Sequence, residues 1–254
     1  MNIPQCATLS LSATCMGGRF VTLPLNLGHS WFVEMDYSTG APLHKHNFKL
    51  VSSLNRAVET LDNVLEELIG GINVNDVATG TEAEYAPTEE CETSWIPERI
   101  FLFGFSAGAC LAMQTCLDRF EKGKLPLGGG ICIAGGSNKN CSSKKISGGD
   151  IDESKAVEKT PVLIIGGSKD EKFTPDAMNE SIDFYNSYGW KSMKGGGKKP
   201  SLPAKAFIMK GKGHGMINSE EETKAVMEFC GEKMVRRMLA MEGFCEISPD
   251  QFQT

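Results

Sequence analysis

The sequence lacks a surplus of positive charge. Its 254 residues include 26 Lys and Arg against 32 Asp and Glu, a net charge of −6. Nucleic-acid-binding proteins usually carry a basic surplus, so we expect no nucleic-acid partner. No apolar run approaches the roughly 20 residues that a membrane span needs. No basic residue precedes Arg19. We therefore expect neither a membrane span nor a signal peptide.

Paired cysteines are also missing. The nine cysteines are an odd number, and none of them stands in a C-x-x-C motif. In a chain of this length, scattered cysteines indicate free thiols in a reducing compartment, and the cytoplasm is the expected location. The length suffices for one sizeable core, and we predict a single domain over residues 1–254.

Histidine is scarce, with four residues in the chain. His44 and His46 are close enough in sequence to suggest a metal-binding pair. Spacing places no third ligand beside them, so we interpret both as solvated residues before the first long helix and expect no metal.

Short apolar runs are present and predict strands. Each is rich in Ile, Val, Leu or Phe and ends at glycine or a polar turn: Ile100–Phe105, Gly130–Ala134, Pro161–Ile165 and Lys205–Met209. Their apolarity is continuous rather than alternating, which predicts a parallel sheet covered on both faces. Phe20–Leu25 is a fifth candidate, and residues 7–14 are a candidate edge strand.

Helical patterns alternate with these runs, which indicates an α/β fold. One apolar stripe, ended by Gly70 and Gly71, consists of Val51, Leu54, Val58, Leu61, Leu65 and Leu68. Leu111–Phe120 continues from a turn as a second helix. A last helix has Ser219 as its N-cap, and its buried face is predicted from Val226, Cys230, Met234 and Met238. The Ser-, Lys- and Gly-rich stretch Gly135–Lys159 predicts a surface loop.

The motif that carries chemistry is G-x-S-x-G, residues 104–108, between a predicted strand and a predicted helix. The glycines at 104 and 108 remove side chains that would clash in so sharp a turn. The N-terminus of the following helix offers free N–H groups to an oxyanion formed when Ser106 attacks a carbonyl, and the Ala107 N–H is the expected donor. The alternative is a structural turn with an inert serine, which the strand–turn–helix setting disfavours.

A nucleophilic serine needs a base, and the base needs an orienting acid, in the chain order Ser, Asp or Glu, His. His214 is the one histidine after Ser106, and it stands in a glycine-rich stretch after a predicted strand. Asp170 follows another predicted strand and can hold the Nδ1–H of His214. Glu171 and Asp176 are weaker candidates for the acid. A surface histidine and solvated or helix-capping carboxylates are the non-catalytic alternatives.

Several segments resemble one protein family. Pro97-Glu98-Arg99-Ile100, followed by Gly104-Phe105-Ser106-Ala107-Gly108, resembles the nucleophile segment of the phospholipase/carboxylesterase family of α/β-hydrolases. That family includes acyl-protein thioesterases and lysophospholipase-like enzymes. The resemblance covers roughly Phe20 to Leu239, with further matches at Val21-Thr22-Leu23, Ser30-Trp31-Phe32, Thr160-Pro161-Val162-Leu163 and Gly213-His214.

The resemblance implies an α/β-hydrolase fold, a mostly parallel sheet with helices on both faces. It also implies a hydrolase of carboxylic esters or thioesters, acting on small molecules, acylated proteins or lysolipids through an acyl-enzyme. Ser106 would be the nucleophile, His214 the general base and then acid, and Asp170 the residue that orients it. No metal or organic cofactor is implied, and the oligomeric state is left open.

The front of the chain departs from the family pattern. Family members usually have a strand and a His-Gly loop before the Val-Thr-Leu segment, and the loop supplies a second oxyanion N–H. Here about twenty residues precede that segment, without His-Gly, so the N-terminal strand region is predicted to be shortened. Losing one oxyanion donor costs about 10²–10³ in turnover. The second hypothesis is therefore a catalytically impaired homologue with a binding role, and the third is acyl transfer to an acceptor other than water.

Overall fold

The structure is a computed structural model, and it describes residues 8–11, 30–34, 36, 41, 43–44, 46–70, 95–137, 158–188 and 203–241, with side chains in the last helix up to Lys233. Four parallel strands form one sheet in the order β1-β2-β3-β4. Their bounds are β1 Phe101–Phe105, β2 Gly129–Ile133, β3 Val162–Gly167 and β4 Ala204–Met209. The four main strand predictions are confirmed, with bounds that differ by at most two residues.

Four helices accompany the strands: α1 Phe48–Gly70, α2 Ala107–Glu121, α3 Pro175–Ser187 and α4 Glu220–Met241. Two of them begin at side-chain caps. The Ala177 N–H donates to Thr174 Oγ1 at 3.2 Å, and the Glu222 N–H donates to Ser219 Oγ at 3.2 Å. Each cap satisfies a backbone N–H that has no partner inside its own helix. The predicted N-cap at Ser219 is confirmed.

The core has two faces, one on each side of the sheet. On one face, α2 and α3 pack with buried side chains such as Met113, Ile164 and Tyr185. On the other, Val226, Phe229 and Cys230 of α4 pack against β2 and β3. α1 packs outside α2 through Leu50, Leu54, Val58 and Leu111. The predicted parallel sheet with helices on both faces is confirmed.

The outer two of the four described strands are less covered than predicted. Phe103 of β1 is 52% exposed and Ile208 of β4 is 42% exposed. Phe103 lies on the same face of β1 as Phe101 and Phe105, which is the face that α4 packs against, and it is exposed because α4 contacts mainly β2, β3 and β4. Residues 8–11 form no strand, and the remainder of the predicted edge strand 7–14 and all of Phe20–Leu25 lie outside the described residues. The side chains of Met234 and Met238 lie outside them as well.

The predicted surface loop Gly135–Lys159 begins inside the molecule. A Cβ at Gly135 would lie 2.4 Å from the Ser106 carbonyl oxygen, and one at Gly136 would lie 2.6 Å from Ser181 Oγ. Both glycines are buried because they have no side chain; residues 138–157 lie outside the described part. No helix among the described residues is long and apolar enough to cross a membrane. The single domain stays a prediction.

Candidate active site

The three residues of the predicted site follow three different strands. Ser106 comes directly after β1, Asp170 three residues after β3, and His214 five residues after β4. The carboxyl ends of parallel strands lie along one edge of the sheet, where α/β proteins bind their ligands. The topology therefore brings Ser106, Asp170 and His214 to the same edge.

Ser106 occupies a strained turn between β1 and α2. Its φ of 51° and ψ of −116° are rare for a residue with a side chain and cost about 1–3 kcal/mol. The Ser106 N–H donates to the Ile133 carbonyl at 2.8 Å, which ties the turn to β2. A Cβ at residue 104 would lie 2.2 Å from the Gly108 carbonyl oxygen, so this turn requires Gly104. The sharp turn predicted from the motif is confirmed.

The side chains of the three residues form one chain of hydrogen bonds. Ser106 Oγ lies 3.0 Å from His214 Nε2. His214 Nδ1 lies 2.9 Å from Asp170 Oδ2 and 3.1 Å from Asp170 Oδ1. When the imidazole proton is on Nδ1, this nitrogen donates to the carboxylate and Nε2 accepts from the serine hydroxyl. These are the contacts that an activated serine needs.

Asp170 is held by its own loop as well as by His214. Its side chain is fully buried, and its Oδ1 accepts the N–H groups of Lys172 at 2.9 Å and Phe173 at 2.8 Å. Burial alone would raise the pKa of Asp170. The Phe173 N–H, His214 and the Lys172 N–H outweigh that effect and hold the pKa below its usual value. The carboxyl group is therefore ionised at neutral pH.

The two other candidate acids lie elsewhere. Glu171 is exposed beside Asp170, and Asp176 is exposed in the first turn of α3. Among the described residues, the recorded carboxylate contact of His214 is with Asp170. The structure therefore favours Asp170 over both alternatives.

The Ala107 N–H stands where the sequence predicts an oxyanion donor. Ala107 is the first residue of α2, so its N–H points out of the helix at the end with partial positive charge. Within the described residues, no recorded backbone or side-chain group accepts it. The turn at residues 104–108 thus leaves the Ala107 N–H available as a donor directly after Ser106.

Two neighbours of the site were not identified from the sequence. Trp31 packs against the start of α2, and its Nε1 lies 3.4 Å from where a Cβ at Gly108 would be. Glu34 is exposed as a whole residue, but surrounding protein atoms partly desolvate its carboxyl group. This desolvation raises the pKa of Glu34, and the nearby charges of Lys172 and His214 oppose the rise only in part. In the sequence, Trp31 belongs to the Ser30-Trp31-Phe32 segment that matches the family, and no motif or spacing singles out Glu34.

The loops that carry Asp170 and His214 are joined through their backbones. The Lys169 N–H donates to the Lys212 carbonyl at 2.8 Å, and the Gly211 N–H donates to Ser168 Oγ at 2.8 Å. A Cβ at Gly167 would lie 2.1 Å from the Lys212 carbonyl oxygen. Only glycine at 167 allows the two loops to approach so closely. The sequence contained a signal for this contact, since two glycines end the predicted strand.

The described residues offer no group of three His, Cys, Asp or Glu side chains that could hold a metal. His44 and His46 have ring centroids 5.3 Å apart, and both are exposed before α1.

Comparison with models of known families finds no match, and comparison with curated proteins finds none either. Among solved structures, the chain is similar to Arabidopsis thaliana SOBER1, with 20% identity, a TM-score of 0.46, and 81% of this chain and 74% of that chain covered. It is similar to Zea mays acyl-protein thioesterase 2, with 17% identity, a TM-score of 0.47 and coverage of 80% and 73%. It is also similar to esterase PE8, with 21% identity, a TM-score of 0.45 and coverage of 81% and 71%.

Two of these neighbours are named as an esterase and an acyl-protein thioesterase. The predicted α/β-hydrolase fold is present in the molecule itself, as a parallel sheet with helices on both faces and a strand–turn–helix serine. At such identities and scores, however, a likeness does not determine the reaction. What the site can do has to follow from its own residues.

Proposed function

We propose that this protein is a serine hydrolase that cleaves carboxylic esters or thioesters through an acyl-enzyme. The observation that carries the proposal is the continuous chain from Ser106 Oγ to His214 Nε2 at 3.0 Å and from His214 Nδ1 to Asp170 Oδ2 at 2.9 Å. Ser106, His214 and Asp170 are then a nucleophile, a base and an orienting acid.

In the first half of the reaction, Ser106 Oγ attacks the carbonyl carbon of the substrate while His214 Nε2 takes the hydroxyl proton. The carbonyl oxygen becomes an oxyanion, which the Ala107 N–H and the N-terminal end of α2 stabilise. Asp170 stabilises the imidazolium that forms. His214 then gives its proton to the departing alcohol or thiol, and the acyl group remains on Ser106.

In the second half, His214 Nε2 takes a proton from water, whose oxygen attacks the acyl carbonyl. The bond to Ser106 breaks, the serine recovers its proton from His214, and the carboxylic acid leaves. The original serine proton leaves with the alcohol or thiol and a proton from water replaces it, so Ser106 and His214 return to their starting state and the cycle needs no metal and no organic cofactor. An acceptor other than water would give acyl transfer by the same steps.

The substrate class is proposed from the chemistry of the serine. A serine with a neutral imidazole base attacks oxygen esters and thioesters alike, which fits small esters, acylated proteins and lysolipids. The described cysteines Cys110, Cys116, Cys132 and Cys230 are free thiols, and a reducing compartment such as the cytoplasm is part of the proposal.

The test is labelling of the purified protein with a fluorophosphonate, which reacts with activated serines. We expect the wild-type protein to be labelled on Ser106 and Ser106→Ala to be unlabelled with an unchanged melting temperature. Ser52→Ala is the matched control, because Ser52 is exposed on α1 and its hydroxyl donates to the Lys49 carbonyl, away from the three residues of the site. It should be labelled like the wild type.

A folded wild-type protein that remains unlabelled would contradict the proposal and favour the impaired homologue with a binding role. If labelling succeeds, turnover of an oxygen ester and a thioester with the same acyl chain separates the two substrate classes. Product analysis with added alcohol or thiol separates hydrolysis from acyl transfer.

A further inference from the structure

A buried ion pair brackets the loop that carries His214. Lys212 precedes His214 by two residues, and Glu222, in the first turn of α4, follows it by eight. The Lys212 ammonium contacts the Glu222 carboxylate and also donates to the Met216 carbonyl at 2.6 Å. The side chain of Lys212 therefore spans the base of the loop and joins its start to the following helix.

Glu222 joins the other end of the loop to the same pair. Its Oε2 accepts from the Asn218 N–H at 3.1 Å and from Ser219 Oγ at 3.1 Å. Burial works to raise the pKa of Glu222, but Lys212 and the Asn218 N–H outweigh it and hold the pKa below its usual value. The carboxylate is thus charged, and among the described residues its three hydrogen-bonding partners, Lys212, Asn218 and Ser219, all lie between residues 212 and 219.

Burial of this pair is nearly complete, since the Lys212 side chain is 9% exposed and the Glu222 side chain is fully buried. Removing two charges from water is costly, and a buried ion pair is weak evidence for a gain in stability. A role in fixing geometry explains its place better. Residues 210–219 contain no helix or strand that would hold His214 by itself.

Asp170 and His214, the other two members of the hydrogen-bonded chain, differ in how they are held. Asp170 is fixed by two N–H groups of its own loop. His214 has side-chain hydrogen bonds only to Asp170 and Ser106 among the described residues. The orientation of its backbone must therefore come from the loop. Contacts with the Asp170 loop hold the start of this loop at Gly211 and Lys212, and the Lys212–Glu222 pair joins that start to residues 216–222.

We propose that Lys212 and Glu222 are positioning residues that hold the His214 loop so that the imidazole reaches Ser106 and Asp170 at once. This proposal rests on the proposed hydrolase function, because it assigns the pair a part in that reaction. The net charge of the pair is zero, so it acts through position rather than through a field at the imidazole. A misplacement of about 1 Å at a reacting group can cost about 10² in rate.

The experiment measures pre-steady-state turnover of an activated ester by Glu222→Gln and Lys212→Met. Glu222→Gln keeps the size of the side chain and removes the charge, and Lys212→Met keeps the length and removes the ammonium. We expect kcat to fall by about 10²-fold with little change in KM. The fraction of molecules that a fluorophosphonate finally labels should remain one, because every molecule is still folded and only reacts more slowly.

Lys205→Met is the matched control, since the Lys205–Glu232 ion pair at 2.8 Å is exposed and remote from the loop. It should turn over like the wild type. A merely structural role would lower the finally labelled fraction in proportion to the unfolded fraction and leave the rate of the folded molecules unchanged. That result, or wild-type kcat in both loop variants, would overturn the proposal.

Amide hydrogen exchange tests the same proposal without catalysis. In the wild-type protein the Asn218 amide, which donates to Glu222, should exchange slowly, and in Glu222→Gln it should exchange faster while the amides of β3 stay protected. An unprotected Asn218 amide in the wild type would overturn the proposal. A wild-type protein that is not acylated would instead contradict the hydrolase function, and the exchange result would still decide whether the pair holds the loop.

Discussion

Buried ion pairs occur in two regions, between α1 and α2 and at the His214 loop, and the backbone around them is regular in one region and irregular in the other. Between α1 and α2, the Arg119 guanidinium lies 2.7 Å from Asp62 and 2.7 Å from Glu66. Beside the serine, the ammonium of Lys212 pairs with Glu222. The first cluster joins two regular helices whose own hydrogen bonds already fix their backbones. The second joins the two ends of an irregular loop.

The backbone repeats this contrast. The region around the serine contains both described non-glycine residues with positive φ, Ser106 at 51° and Ala134 at 49°. No described residue of α1 or α2 shares that feature. The region around the serine therefore contains strained and irregular backbone that holds a geometry, whereas the region between α1 and α2 joins regular helices. We expect changes around the serine to affect turnover and changes between α1 and α2 to affect stability.

The largest expected effect is that of Asp170→Asn. An amide in place of the carboxylate favours the wrong imidazole tautomer and cannot stabilise the imidazolium, and such a change costs about 10⁴ in kcat. This corresponds to about 5.5 kcal/mol of activation free energy. Steady-state turnover together with thermal unfolding measures it. Loss of folding in parallel with loss of turnover would contradict the contrast between the two regions. Asp176→Asn, at an exposed carboxylate, is the control and should leave turnover unchanged.

The next effect is that of Arg119→Met, which leaves Asp62 buried with Lys124 as its nearest remaining partner at 2.7 Å. Removing one member of a buried ion pair costs about 3–5 kcal/mol, and Lys124 should keep the loss near 3 kcal/mol. Urea unfolding measures it. Glu66→Gln is the control, because its side chain is 47% exposed and exposed pairs contribute at most about 1 kcal/mol. A fall in kcat per folded molecule would contradict the contrast.

The smallest effect is a difference in acid sensitivity. Burial raises the pKa of Asp62, but Lys124 and Arg119 outweigh it and hold the pKa below its usual value. A carboxyl group with a lower pKa in the folded state stabilises the protein above its unfolded pKa of about 3.9, and this contribution is lost as the pH falls through the folded value. Below about pH 4, wild-type stability should fall more steeply than that of Arg119→Met. Equal slopes in urea unfolding would show that Arg119 does not act on Asp62.

Much of the fold could be predicted from local patterns. Continuous apolar runs predicted β1 to β4, because buried parallel strands need apolar side chains on both faces. The strand, the G-x-S-x-G turn and the following helix predicted the strained conformation of Ser106. The order Ser, Asp, His singled out His214, which is the one histidine after the serine.

The remainder depends on approaches between segments that are distant in sequence. Asp170, Glu171 and Asp176 all follow β3, and only the three-dimensional loop shows which carboxylate is buried beside the imidazole. The link from Lys212 to Glu222 spans ten residues without a regular period. Ser219 with Glu222 three residues later matches a capping box, so the pattern marked the helix start but could not show the lysine that joins it. The exposure of Phe103 on β1 likewise depends on where α4 crosses the sheet.

Gly167 has a consequence for how the protein responds to heat. Because the Lys212 carbonyl lies where any other residue would have its Cβ, the loops of Asp170 and His214 are in direct contact, and we expect them to move together. Warming should not separate acid from base until the sheet beneath them melts. Activity and structure would then be lost over the same temperature interval, without a folded but inactive stage between them. The upper working temperature is thus set by the sheet rather than by its loops.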